Sequence, residues 1–120
     1  MFSMIIDHRS YTIHPSKFTA FLALWEAVAL PIQLAHSGRF LGMFVTDTGP
    51  VNTLVHMWAY EDAADRETRR KKFEALPEWQ EYRRKLDELG ALAKVETMII
   101  RPAPFVKFDW PAVGARNSST

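Results

Sequence analysis

Residues 39–60 read RFLGMFVTDTGPVNTLVHMWAY, and their pattern is the clearest indication of the fold. Residues 39–47 and residues 53–60 are rich in the branched and aromatic side chains that favour β-strands. The residues between them, 47–52 (DTGPVN), are strong turn formers. The pattern therefore predicts two antiparallel strands joined as a hairpin.

Both strands of this hairpin carry apolar side chains on both faces. Successive residues of a strand point to opposite sides, so the alternation of residues separates the two faces. The alternating sets are Leu41, Met43 and Val45 against Phe40 and Phe44, and Val55 and Met57 against Leu54, Trp58 and Tyr60. A sheet with two apolar faces has to be covered on both of them.

Two more strands and a helix are predicted elsewhere in the chain. Residues 4–13 and residues 93–101 contain the branched residues typical of strands. Apolar residues between Phe18 and Ile32 recur at spacings of three and four, which predicts a helix that ends near residue 36. Pro31 lacks a backbone N–H, so we expect it to bend or divide this helix.

Residues 61–90 predict a second helical region. Pro77 breaks it into two pieces, and Gly90 is typical of a helix end. The basic run from Arg66 to Lys72 lies on the first piece and could contact phosphates. Because acidic residues flank this run, a solvated helix face is the stronger interpretation.

The order strand, helix, strand, strand, helix, strand predicts an α+β fold of the ferredoxin-like βαββαβ type. Its antiparallel four-stranded sheet would have residues 4–13 and 53–60 at the centre and both helices on one face. The chain has no third helix for the other face. A second copy of the chain is the simplest cover, so we expect a homodimer or a higher even oligomer. The alternative is that the C-terminal tail folds back over that face.

Length and composition set further limits. The 120 residues fit one domain, which we place at residues 1–110, with residues 111–120 as a flexible C-terminal tail. Residues 105–110 are too apolar to be left loose. The net charge of +1 argues against a nucleic-acid partner. Without cysteine there is no disulfide or thiol nucleophile, and we expect a cytoplasmic location. No stretch approaches the ~20 apolar residues of a membrane span.

The two predicted central strands carry the candidate binding residues. Asp7, Arg9 and Tyr11 alternate onto one side of the first strand. A pocket between sheet and helices could hold a small aromatic or acidic ligand. The predicted ligand-binding residues are Arg9, Tyr11, His56, Trp58 and Tyr60. The alternative is a satisfied hydrogen-bond network that fixes the sheet register or the dimer.

His56 is the candidate catalytic residue, because histidine exchanges protons near neutral pH. It has no visible nucleophile partner, and a hydrogen-bonded core histidine is the alternative. The four histidines show no metal-ligand spacing, so neither a metal site nor a cofactor is predicted. Trp25 and Trp79 belong to the apolar stripes of their helices, and they would line any cavity between helices and sheet.

Three stretches of the chain resemble the NIPSNAP family. They are RSYTIHPSK (9–17), the region from Gly49 through VHMWAY (55–60) to DRETRR (65–70), and the region from PEW (77–79) to IIRPAPF (99–105). Together they span residues 5–105. Ser16 departs from the glycine that the family has in its Pro-Gly-Lys turn.

This resemblance implies the dimeric α/β-barrel form of the ferredoxin-like fold. Members of the family are linked to vesicular transport and mitochondrial roles, without established catalytic residues. More distant barrels of this kind include cofactor-free monooxygenases and isomerases, a likeness at the level of the fold alone. The alternatives to a ligand-binding dimer are therefore a non-catalytic interaction module, which would use the basic helix and the tail, and an enzyme of the oxygenase or isomerase kind.

Overall fold

The structure is a computed structural model that describes residues 4–106. The elements are β1 Ile5–Ile13, a 3₁₀ turn Pro15–Lys17, α1 Phe18–Leu24, a π-helical turn Trp25–Ala29, α2 Leu30–His36, β2 Arg39–Val45, β3 Thr53–Tyr60, α3 Ala63–Glu74, α4 Pro77–Leu89 and β4 Leu92–Ile100. The predicted flexible tail, residues 111–120, lies outside the described residues, as do residues 107–110 of the apolar segment before it.

The four strands form one antiparallel sheet in the order β2-β3-β1-β4. The two strands with the candidate residues, β1 and β3, are therefore its central pair, as predicted. The helices that pack on the sheet contact one of its faces. Phe21 of α1 meets Tyr11, and Trp25 of the π-helical turn meets His56. The ferredoxin-like α+β architecture is confirmed.

The core lies between this sheet face and the helices. Its largest fully buried side chains come from every layer and include Phe21, Trp58, Tyr60 and Phe73. The start of α3 is fixed by local sequence. Asp62 caps this helix by accepting a hydrogen bond from the backbone N–H of Asp65 at 2.7 Å.

A π-helical turn, Trp25–Ala29, separates α1 from α2 just before Pro31. Proline supplies no N–H for a regular helical hydrogen bond, and a wider turn ahead of it accommodates that loss. The buried residues on this side are Phe21, Trp25, Ala29 and Gln33, each four positions apart. In a regular α-helix such a stripe drifts by about 40° per step. The wide turn reduces this drift and keeps all four residues on the buried side of the helix.

The helical stretch Pro15–His36 is long and apolar enough, by length and composition alone, to span a membrane. This corrects the expectation that no stretch reaches that length. The reason is that alanines, namely Ala20, Ala23 and Ala27, also occupy exposed positions of the helix. Its other side carries the buried core residues Phe21 and Trp25, which is how a core helix of a globular fold is built.

β2 contains an irregularity that sequence alternation did not predict. Phe40 is opposite Trp58, yet Gly42 is already opposite Met57, so Leu41 is an extra residue. Phe40 therefore faces the helices, where its ring lies 4.6 Å from that of Trp58. The predicted grouping of Phe40 with Phe44 is wrong for this reason.

The second sheet face carries large exposed apolar side chains. Phe44 is 55% exposed and Met98 is 54% exposed. Their neighbours on this face are Val55 and Met57, which are partly buried. Ser10, Thr12 and Thr53 at one end of the face are polar, so it is a mixed surface with an apolar part rather than uniformly apolar.

Candidate functional site

A cavity of about 230 Å³ lies between the helix-facing side of the sheet and the helices. Side chains from β1, β4, the π-helical turn, α2, α3 and α4 line it. Within residues 4–106, four of its twelve lining residues are aromatic: Tyr11, Trp25, Trp79 and Tyr82. The prediction that Trp25 and Trp79 would line a cavity of this kind agrees with their placement.

The aromatic wall is preassembled. The rings of Trp79 and Tyr82 lie 4.9 Å apart, and Phe73 packs edge-on against Trp79 at 4.8 Å. Burial raises the pKa of Tyr82 far above its ordinary value, so its phenol stays protonated. The wall can therefore offer apolar surface and a hydroxyl, but no negative charge.

Arg9 enters the cavity from β1, where it is next to His56 of β3 and Thr97 of β4. Its Nη1 is 3.4 and 3.5 Å from the carboxylate oxygens of Asp7, and its Nε is 3.4 Å from the hydroxyl of Tyr11. All three contacts are longer than a good N–H···O hydrogen bond. The guanidinium of Arg9 is thus oriented without being saturated.

Asp7 is fully buried, and its stronger partner comes from α3. The Nε of Arg66 donates to Asp7 Oδ2 at 2.9 Å. The sequence placed Asp7 and Arg9 on the same side of β1, but it did not predict Arg66, which lies 59 positions away. Two arginines share the buried carboxylate, and this cluster joins the centre of the sheet to α3.

Gln33 is the functional candidate that the sequence analysis missed. Its side chain lines the cavity although the residue is only 4% exposed. Within residues 4–106 its side-chain amide makes no hydrogen bond; its backbone carbonyl accepts one from Ser37. A glutamine among the apolar positions of a helix stripe was the available signal. An amide that lines a cavity without a protein partner is left to bond a water or a ligand.

His56 lies directly behind the cavity wall. The rings of Tyr11 and Trp25, both of which line the cavity, are 4.9 and 5.2 Å from its imidazole. Its Nδ1 accepts a hydrogen bond from Trp58 Nε1 at 2.9 Å, so the neutral ring carries its proton on Nε2. Among the described residues, that Nε2 has no hydrogen-bond partner.

Burial lowers the pKa of His56 to about 3, and the positive charges of Arg9 and Arg70, with His8, add to the effect. The imidazole is therefore neutral at physiological pH. A base this weak, enclosed behind two aromatic rings, suits hydrogen bonding better than proton transfer.

The remaining two predicted site residues lie deeper in the core. Tyr60 shares a 2.6 Å hydrogen bond between its hydroxyl and Ser37 Oγ. Trp58 donates to His56 and packs on Phe40. Of the five predicted ligand-binding residues, Arg9 and Tyr11 line the cavity, and within residues 4–106 the other three form the layer behind it.

The basic run of α3 is engaged in contacts within the fold. Arg66 binds Asp7, Arg69 binds Asp65 at 2.7 Å, and Arg70 binds Glu74 at 2.6 Å. Arg69 also donates to the backbone oxygen of Ser37. These contacts favour the structural interpretation of the run, with one addition: Arg70 also lines the cavity.

Comparison with known proteins identifies the family. The NIPSNAP family profile matches residues 6–107. Protein NipSnap homolog 3A of Homo sapiens is 33% identical over 105 residues, which are 88% of this chain and 42% of that protein. The chain thus spans less than half the length of the curated relatives it matches.

Solved structures with a similar fold include members of the same family. An uncharacterised NIPSNAP-like domain protein from Burkholderia xenovorans is 38% identical, with a TM-score of 0.82 over 93% of this chain and 96% of that one. A putative antibiotic biosynthesis monooxygenase from Nitrosomonas europaea has a TM-score of 0.63 over 87% and 94% of the two chains, at 11% identity, which shows a shared fold. On the profile match and these relatives, the chain belongs to the NIPSNAP family.

Proposed function

We propose that this NIPSNAP-family chain acts as a cytoplasmic homodimer that binds a small organic ligand in each subunit, in the cavity between sheet and helices. One observation carries the proposal. The cavity is lined by polar groups that the fold orients but does not satisfy, namely the amide of Gln33 and the guanidinium of Arg9. Polar groups that line a cavity without full protein partners are satisfied by water or by a ligand.

The five predicted residues would then divide the work. Arg9 and Tyr11 contact the ligand directly. His56, Trp58 and Tyr60 hold the wall in place from behind, through the Trp58–His56 hydrogen bond and the Tyr60–Ser37 hydrogen bond. Binding is better supported than proton-transfer catalysis, because His56, the residue expected to move a proton, is neutral and enclosed.

The homodimer is proposed from the second sheet face. Its rows place Met57, His8 and Met98 side by side, next to Phe44 and Val55. Monomeric proteins seldom expose several large apolar side chains on one face. A second copy of the same face would match it in polarity, and a two-fold interface joins one surface patch to itself.

The interaction-module alternative has less support. It relied in part on the basic helix as a contact surface, and three of that helix's arginines are bound within the fold. Of the other proposed contact surface, the C-terminal tail, the structure describes Phe105 and Val106, and both are exposed.

Filling the cavity tests the proposal. Leu86 lines the cavity from α4, whereas Leu89 on the same helix is similarly half-buried but does not line it. We expect Leu86→Trp to abolish the binding of compounds that native mass spectrometry or a fragment screen detects on the wild-type protein, and Leu89→Trp to retain it. Equal binding by both variants, with both folded by circular dichroism, would contradict a ligand site in this cavity.

A further inference from the structure

The cavity also indicates the chemical class of its ligand, an inference that rests on the proposed function. We propose that the ligand is a single-ring aromatic monocarboxylate with a hydroxyl group on the ring. Its carboxylate binds at the arginines, its ring lies between the aromatic walls, and its hydroxyl meets the amide of Gln33. Charge, unpaired polar groups and volume each support one part of this assignment.

The charge balance calls for one negative charge. Arg9, Arg70 and Arg83 line the cavity together with a single carboxylate, that of Asp87. The ion pairs that hold the first two arginines add Asp7, Glu74 and Arg66. With these ion-pair partners included, the cavity and its surroundings contain four guanidinium groups and three carboxylates. A monoanion balances the excess positive charge, whereas a neutral ligand leaves it and a dianion reverses it.

Arg83 is the arginine best able to supply that charge. Within residues 4–106 it forms no ion pair, whereas Arg70 is bound to Glu74 at 2.6 Å. Arg83 is exposed at the rim of the cavity, and its guanidinium can reach a ligand without breaking an existing contact. Guanidinium groups bind carboxylates through paired, charge-assisted hydrogen bonds, which makes a carboxylate the fitting anion.

Gln33 accounts for the hydroxyl. Its amide has both a donor and an acceptor, and both are unpaired within the described part of the chain. A hydroxyl satisfies either function, because it can donate to the amide oxygen or accept from the amide nitrogen. Gln33 is nearly fully buried, so a ligand that leaves its amide without a hydrogen bond would bind substantially less tightly.

The size and the wall of the cavity account for the ring. Its volume of about 230 Å³ is smaller than the roughly 300–1,000 Å³ typical of pockets for drug-sized ligands. The four aromatic side chains on its wall favour a flat apolar body between them. One ring with two small substituents meets both conditions.

Fluorescence titration of the full chain tests the assignment, since Trp25 and Trp79 line the cavity and report on it. The probes are 4-hydroxybenzoate, its neutral counterpart 4-hydroxybenzamide, and the dianion terephthalate. We expect 4-hydroxybenzoate to bind at least about tenfold more tightly than either, the loss expected for one charged hydrogen bond. Tighter binding of the amide or of the dianion would overturn the inference.

Two variants locate the contacts. Arg83→Gln should weaken 4-hydroxybenzoate roughly tenfold, whereas Arg84→Gln, on the same helix but bound to Glu81 and Glu88, should leave its Kd unchanged. Gln33→Leu should weaken 4-hydroxybenzoate and leave plain benzoate unchanged. Equal losses for both compounds would contradict the proposed role of Gln33.

The outcomes separate this inference from the proposed function. If neutral ring compounds bind as tightly as 4-hydroxybenzoate or more tightly, and Leu86→Trp blocks them, the cavity is a ligand site and the monocarboxylate assignment fails. If no ring compound of any charge changes the tryptophan emission, and the Leu86→Trp protein matches the wild type in every binding assay, both proposals fail.

Discussion

The imidazole of His56 makes the free energy of unfolding depend on pH. In the unfolded chain its pKa is near 6.5, and in the fold burial lowers that pKa to about 3. Between these values the unfolded state binds a proton that the folded state does not, so stability is present above pH 6.5 and is lost as the pH falls. We expect this residue to contribute a slope of up to about 1.4 kcal/mol per pH unit in that window. Urea unfolding at a series of pH values measures it.

The matched variants for this experiment are His56→Asn and His14→Asn. The asparagine oxygen can take the place of Nδ1 as the acceptor for Trp58, but it does not titrate. His14 is exposed on the turn after β1. The pH dependence between 6 and 4 should become shallower in the first variant only; an unchanged slope there would show that His56 titrates normally.

Asp7 carries the largest single electrostatic contribution that we expect. Removing one partner of a fully buried ion pair costs about 3–5 kcal/mol, and because the side chains of Arg9 and Arg66 are 15% and 28% exposed, the lower end of this range applies here. Asp7→Asn would leave Arg9 and Arg66 without their shared carboxylate. We expect a loss of this size in the free energy of unfolding, measured by urea denaturation. Glu67→Gln, which removes an exposed pair with Lys71, is the control and should change stability by less than about 0.5 kcal/mol.

The site residues differ in how far sequence could predict them. Arg9 and Tyr11 followed from strand alternation, because a two-residue period assigns a face without any knowledge of distant contacts. Arg66 could not be assigned to Asp7, since which turn of a helix lies over which strand is decided by packing. Gln33 was hidden for a similar reason, because a polar residue in an apolar stripe signals a cavity only when the opposite wall is known.

At the scale of elements, the sequence predicted every strand and helix of the described chain, along with the central position of β1 and β3. It placed the break at Pro77 correctly, since a missing N–H acts locally, whereas the expected irregularity at Pro31 takes the form of a π-helical turn at Trp25–Ala29. It did not predict the extra residue at Leu41. A bulge depends on the register between two strands, and each strand read alone still alternates.

Gly42 allows that bulge, and its replacement should be costly. Its φ is +138°, a conformation that residues with a Cβ rarely adopt, and an added Cβ would come within 2.8 Å of the Phe44 ring. Gly42→Ala should therefore reduce the free energy of unfolding by about 1–3 kcal/mol. Gly90→Ala is the comparison, because its φ of +62° is a common helix end and no atom lies within 4 Å of the added Cβ. A smaller loss at Gly42 than at Gly90 in urea denaturation would contradict this account of β2.

At the scale of the whole molecule, the two faces of the sheet differ in what they bury and what they expose. The helix-facing side contains the core, the buried Asp7 and the cavity. The other side exposes Met98 and Phe44 around partly buried Met57. If a second copy covers that side, each cavity stays within its own subunit, and ligand binding and dimerisation can be separated by mutation.

Met98→Lys tests that separation. In the proposed dimer it buries an unpaired charge on each subunit, which an interface does not tolerate, so we expect monomers by size-exclusion chromatography with light scattering. Val51→Lys is the matched control, because Val51 is 75% exposed in the β2–β3 turn, away from the sheet face. We expect the Val51→Lys protein to remain dimeric. Since Met98 does not line the cavity, the folded Met98→Lys monomer should keep the ligand affinity of the wild type. If the wild-type protein is itself monomeric at micromolar concentration, this face needs no second copy. If the wild type and both variants are all dimers, the interface lies elsewhere.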